Sequence, residues 1–185
     1  MVRKKRVKGV LREFEGFHFA FIRAISLKEI LSLPLNIFKN KFLVLTTIDC
    51  DSAGEWLERY TERELLRLNI RYKRLLDVCL IYPESLDAFL KEDYFVGGDA
   101  FYITSKEPSD DQLKRIKGGG CGDFSWGISE CVLKTMKLIE AEAYFSDGYT
   151  GISIACKDRC LIEEIVQKLR EEWNIDLEED SKKES

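Results

Sequence analysis

Residues 41–59 have the sequence KFLVLTTIDCDSAGEWLER, and the rest of the chain is interpreted outward from this stretch. The apolar run 42–48 is rich in leucine and β-branched residues, which is typical of a buried strand. Asp49 and Asp51 follow at its end, and an amphipathic pattern that predicts a helix begins near Ala53. The stretch therefore predicts a strand, a pair of carboxylates and a helix in direct succession.

The spacing of the two aspartates suggests a cation site. If the strand continues through Asp51, both carboxylates lie on one face, because side chains two residues apart in a strand point the same way. They would also lie beside the N-terminus of a helix, in the crevice where α/β sheets usually bind ligands. Carboxylate oxygens suit a hard cation such as Mg²⁺. Asp49 and Asp51 are therefore predicted to be metal ligands.

A structural explanation of the same residues stays open. Ser52 and Glu55 form the pattern S-x-x-E, which is the capping box of a helix N-terminus. An aspartate just before a helix is also ordinary turn chemistry. In that case the carboxylates satisfy backbone N–H groups and bind no metal.

The bulk composition describes a globular protein with a well-charged surface. The chain has 185 residues, of which 45% are hydrophobic and 34% charged, and its net charge is −4. This balance argues against broad, non-specific binding to nucleic acid. A local basic arm remains, because Arg3, Lys4, Lys5, Arg6 and Lys8 are clustered near the N-terminus. That arm is the predicted contact with nucleic acid, although solvated terminal charge is its commoner explanation.

The sequence predicts a cytoplasmic protein that does not cross a membrane. No run approaches the roughly 18 apolar residues of a membrane helix, and the basic N-terminus leads into VLREFEG rather than the apolar core of a signal peptide. The six cysteines are then expected to be reduced thiols. They include no C-x-x-C pair and the chain has one histidine, so a zinc site is not expected.

Elsewhere in the chain, strand and helix patterns alternate, which predicts an α/β or α+β fold with a mixed sheet. The first residues are interpreted either as a hairpin around Glu15 and Gly16, or as a strand followed by the beginning of a helix. Further strands are predicted at 17–21, 71–82, 100–104, 138–145 and 151–156, and helices at 53–68, 85–91, 106–117, 129–136 and 159–173.

The Gly97–Gly98 turn suggests two domains. Residues 1–97 are predicted to form an α/β domain, and residues 98–185 a smaller α+β domain with a β-hairpin and a helix. Several strands are each followed by a polar junction and then a helix, so a repeated β-α unit is the alternative. Two ferredoxin-like units would produce such a repeat.

The segment from Asp49 to Gly54 resembles the D-x-D-x-x-G motif of Toprim domains, which occur in topoisomerases, bacterial-type primases and small nucleases. In that family an apolar strand leads to the aspartates, and many members have an acid after the glycine, as Glu55 is here. The family also has a glutamate–glycine pair closing an earlier strand, which Glu15 and Gly16 match. The resemblance covers about residues 7–95.

The resemblance implies a Rossmann-like sheet, Mg²⁺ bound by Asp49 and Asp51, and Glu15 as the general acid or base. The implied chemistry is cleavage or transfer of a nucleic-acid phosphodiester, in which the metal stabilises developing charge on a phosphoryl oxygen. The alternative is a non-enzymatic binding or oligomerisation module made of two ferredoxin-like units. The enzyme hypothesis requires Glu15, Asp49 and Asp51 to converge.

Overall fold

In the part of the chain that it describes, the computed structural model contains one sheet of nine strands. It describes residues 7–23, 29–30, 36–48, 66–69, 75–91, 100–116, 130–148, 151–173 and 175–179. The strands are β1 (Val7–Phe14), β2 (Phe17–Arg23), β3 (Phe42–Ile48), β4 (Leu66–Asn69), β5 (Leu75–Ile81), β6 (Ala100–Thr104), β7 (Ala143–Gly148), β8 (Gly151–Cys156) and β9 (Ile175–Glu179).

Helices cover both faces of this sheet. They are α1 (Pro83–Leu90), α2 (Asp110–Lys114), α3 (Glu130–Leu138) and α4 (Arg159–Trp173), with a 3₁₀ turn at Asn36–Phe38. Ser109 caps α2 through a capping box with Gln112. None of the helices in the described ranges is long and apolar enough to cross a membrane.

The strand order is β4-β5-β3-β6-β7-β8-β2-β1-β9. Neighbouring strands are antiparallel throughout, except that β1 and β9 are parallel. The fold is therefore mixed α/β, as predicted, but the prediction of a Rossmann-like N-terminal part is wrong. A Rossmann-like sheet is largely parallel, whereas here antiparallel neighbours alternate in direction across the sheet.

Two units with the same strand order lie side by side in this sheet. The first has the order β4-β5-β3-β6, with α1 connecting β5 to β6. The second has the order β7-β8-β2-β9, with β1 inserted before β9 and α4 connecting β8 to β9. Each is the strand order of a ferredoxin-like β-α-β-β-α-β unit. The first unit lies, in sequence, between β2 and β7 of the second.

Each face of the sheet has its own hydrophobic core. The α1/α4 face carries a cluster that includes Leu45, Phe101, Phe145 and Ile154 together with buried residues of both helices. On the α2/α3 face, Tyr102 and Tyr144 pack with residues of the other two helices. Because both faces are covered, the central strands are apolar on both sides, which explains why they appear in the sequence as continuous apolar runs.

Several local predictions are confirmed, including the strand at 100–104 and the helix at 159–173. Of the two interpretations of the first residues, the structure shows the hairpin around Glu15 and Gly16. The helix predicted over 53–68 is wrong at its end, because residues 66–69 form β4. Residues 53–65 lie outside the described ranges. The sheet does not divide at residue 97, since β6 pairs with β3 on one side and with β7 on the other.

Candidate functional site

The C-terminal end of β3 is where the sequence places the predicted site. The last described residues of β3 are Thr46, Thr47 and Ile48, and both threonines are buried. The Thr46 hydroxyl lies 3.4 Å from the carbonyl oxygen of Ala100, which it faces across the β3–β6 pair. Asp49 and Asp51, the predicted metal ligands, lie outside the described residues.

A buried carboxylate lies at this end of the sheet. Asp77 of β5 is opposite Thr47 of β3, and its residue is 2% exposed. On its other side Asp77 is opposite Arg67 of β4. A carboxylate this deeply buried is rare unless it is paired, because burial penalises the charged form. Sequence reasoning missed Asp77, although an acid in the apolar run LLDVCLI was a signal that could have found it.

Glu15 lies in the tight turn between β1 and β2. Phe14 pairs with Phe17, so the loop has two residues, and both Glu15 (φ 51°) and Gly16 (φ 76°) have left-handed backbones. Two successive residues of positive φ are typical of the type I′ turn, whose twist matches that of a hairpin. The exposed Glu15 carboxylate accepts a hydrogen bond from the Lys137 ammonium at 2.9 Å.

The strand directions place this turn far from the end of β3. Each neighbour from β3 through β6, β7 and β8 to β2 is antiparallel, so β3 and β2 run in the same direction. Glu15 precedes the start of β2, whereas Ile48 is at the opposite end of β3. Four strand spacings of about 4.8 Å across the sheet, and about seven residues of about 3.4 Å each along it, put the two on the order of 30 Å apart. The structure therefore does not bring Glu15 to the end of β3.

The remaining metal and nucleophile candidates are also separated. Within the described ranges, no three His, Cys, Asp or Glu side chains converge closely enough to hold a metal ion. His18 lies opposite Cys156 in the β2–β8 pair, and its ring is 3.8 Å from the Glu13 carboxylate. Cys156 is fully buried, and burial, with a smaller contribution from the charge of Asp158, raises its pKa. A buried thiol with a raised pKa is a poor nucleophile.

A polar cluster ties three strands together at the end of the sheet opposite the predicted site. Lys41 precedes β3, Ser105 follows β6 and Glu142 precedes β7. The Lys41 ammonium donates to both Glu142 carboxylate oxygens, at 2.7 and 3.0 Å, and contacts the Ser105 hydroxyl, which also donates to Glu142. These contacts hold the starts of β3 and β7 and the end of β6 together.

The Glu142→Gln variant is expected to lose stability that depends on pH. Burial of Glu142 on its own raises the pKa of its carboxyl, but the hydrogen bonds from Lys41 and Ser105 and the charge of Lys41 outweigh it and lower the pKa. The stabilisation is therefore present above the unfolded pKa of about 4.3 and disappears as pH falls through the lower folded value. Because the carboxylate is partly exposed, we expect a loss of about 1 kcal/mol or less at pH 7.

Urea unfolding of wild type and Glu142→Gln at several pH values measures this effect. The control is Glu130→Gln, which removes an exposed carboxylate paired with Lys134 on α3 and should leave the urea midpoint unchanged. A gap between wild type and Glu142→Gln that persists at pH 3 would contradict the assignment.

The chain was compared with protein-family models, with curated proteins and with solved structures, and none of these comparisons found a match.

Proposed function

We propose that the chain is a non-enzymatic binding module made of two ferredoxin-like units, which binds a divalent cation such as Mg²⁺ at the C-terminal end of β3. Asp49 and Asp51 are the proposed ligands. The observation that carries the choice of a binding module over an enzyme is the place of Glu15, in a hairpin turn at the opposite end of an antiparallel sheet. A group on the order of 30 Å away cannot transfer a proton at the cation.

The surroundings of β3 support the cation. Thr47 and Asp77 are opposite each other near the C-terminal end of β3, and the proposed ligand Asp49 follows two residues after Thr47 in the sequence. Asp77 gives that end of the sheet a third carboxylate, and Mg²⁺ binds through one or two carboxylates with water or phosphate completing its six ligands. A phosphate-containing ligand, including nucleic acid held by the basic N-terminal arm, is the proposed partner of the cation.

The second candidate is the phosphodiester enzyme that the Toprim resemblance implies. The observation that favours this enzyme is buried Asp77. In this hypothesis Asp77, and not Glu15, is the group that transfers the proton. Under this hypothesis Glu15→Gln retains nuclease activity and Asp77→Asn loses it. Under the binding-module hypothesis, wild type with Mg²⁺ or Mn²⁺ cleaves neither DNA nor RNA.

The cation site is tested by thermal unfolding in the presence and absence of Mg²⁺ or Mn²⁺. At a metal concentration of about 100 times Kd, binding stabilises the folded protein by about 2.7 kcal/mol. For a chain of this size that corresponds to an increase in Tm of about 5–10 °C. The Asp49→Asn, Asp51→Asn double variant is expected to show no increase.

Glu15→Gln is the matched control, since it removes a carboxylate at the far end of the same sheet. It should retain the full metal-dependent increase in Tm. Equal metal responses in wild type and the double aspartate variant would reject the cation site, and the two aspartates would then be helix-capping residues.

A further inference from the structure

The two ferredoxin-like units are joined through an antiparallel strand pair. β6, the last strand of the first unit, pairs with β7, the outer hairpin strand of the second, over the residues 100–103 and 143–146. The backbone N–H of Glu142 extends the pair by donating to the carbonyl oxygen of Ile103 at 2.8 Å. This joint places one unit after the other in the same orientation, because both have their strands in the same order and direction.

The two outermost strands of the sheet are the equivalents of β6 and β7. Within the described part of the chain, β9 is the last strand of the second unit and β4 is the outer hairpin strand of the first, and each has a strand neighbour on one side. The strand pairings give β9 the same direction as β6, and β4 the same direction as β7. A β9 strand placed beside β4 of another copy would therefore be antiparallel.

The charges of the two edge strands are opposite. The β9 sequence IDLEE contains three acids and no base, whereas the β4 sequence LRLN contains Arg67 and no acid. Charged edges normally prevent sheets from joining. Here two β9 edges repel each other, because their pairing would bring like charges together. The opposite charges of β9 and β4 favour the pairing of these two edges.

We propose that copies of this chain associate head to tail, with β9 of one copy pairing antiparallel with β4 of the next. This contact between two molecules has the same strand arrangement as the contact between β6 and β7 within one molecule. In the register of the sheet, Arg67 is opposite Asp77 and Glu179 is opposite Leu11, and the proposed pairing brings Arg67 of one copy opposite Glu179 of the next. Such a heterologous contact propagates into rings or filaments rather than closing as a dimer.

The test is sedimentation velocity of the full chain over a range of protein and salt concentrations. Wild type is expected to form species that grow with protein concentration and shrink as salt rises. Arg67→Glu and Glu179→Arg should each weaken association about tenfold, because an attractive cross-strand pair becomes a repulsive one. An equimolar mixture of the two variants should restore wild-type association, since each edge again meets one of opposite charge.

The matched controls are Lys114→Glu and Glu130→Arg, which make the same charge changes at exposed positions of α2 and α3. Both should associate as wild type does. Three results would overturn the proposal: a wild type that is monomeric at every concentration, dimers that Arg67→Glu leaves intact, or a mixture that associates no better than its two components. Because all samples contain EDTA, these results are independent of the proposed cation site.

Discussion

Phe145→Ala is expected to destabilise the protein by about 3–5 kcal/mol, the cost of removing a large aromatic side chain from a packed core. Phe145 is fully buried, and its ring centroid lies 5.9 Å from that of Phe38. Within the sheet it is opposite Phe101 of β6 and Ile154 of β8, so it fills the joint between the two units.

The loss is measured as a lower urea midpoint in unfolding experiments. In thermal unfolding it corresponds to a decrease in Tm of roughly 10 °C for a chain of this size. Phe14→Ala is a matched control, because the same side chain is removed from a position that is 53% exposed. Its effect should stay within about 0.5 kcal/mol. If Phe145→Ala does not fold, Phe145→Leu should still show a smaller loss. Equal effects of Phe145→Ala and Phe14→Ala would contradict the packing of the joint.

Cys156 is expected to resist alkylation in the native protein. It lies in β8 between two paired strands, its side chain is buried, and burial raises its pKa. The reactive thiolate is therefore scarce, and a reagent reaches it only when the sheet opens. If opening costs about 3 kcal/mol, Cys156 reacts with iodoacetamide about 100-fold more slowly than an accessible thiol.

Cys160 provides the comparison within the same molecule, since it is four residues away and exposed. Peptide mapping after timed alkylation at pH 8 should show Cys160 modified early and Cys156 late, with both modified rapidly in denaturing urea. Because alkylation of Cys156 takes place only when the sheet opens, its modification should stay slower than that of Cys160 from pH 7 to pH 9. Similar native rates at the two positions would show that β8 is not buried as described.

The sequence predicted local structure better than it predicted strand order. The apolar runs of β3 and β6 and the 3.6-residue pattern of α4 are local signals, and each identified its element. The charged amphipathic pattern predicts a helix through residue 68, but pairing with β5 makes residues 66–69 a strand. Such pairing is a tertiary effect that overrides local propensity. Residues 175–179 were not predicted because two apolar residues among acids give a weak strand signal.

The candidate site was less predictable for the same reason. The D-x-D pattern after β3 is local, but whether Glu15 reaches it depends on which strands lie between β2 and β3. Three strands separate them, and antiparallel pairing puts the Glu15 turn at the other end of the sheet. The pairs Glu15–Lys137 and Lys41–Glu142 are likewise about a hundred residues or more apart in sequence. No spacing rule relates such residues.

The position of the first unit between β2 and β7 has a consequence for how the chain folds during synthesis. β2 pairs with β8, so its partner is made more than a hundred residues later. The strands of the first unit all lie within 42–104 and can pair as soon as they are made. Meanwhile the β1–β2 hairpin exposes an unpaired edge, which is a hazard for aggregation. We therefore expect refolding to have a fast phase for the first unit and a slower phase that ends when β8 reaches β2.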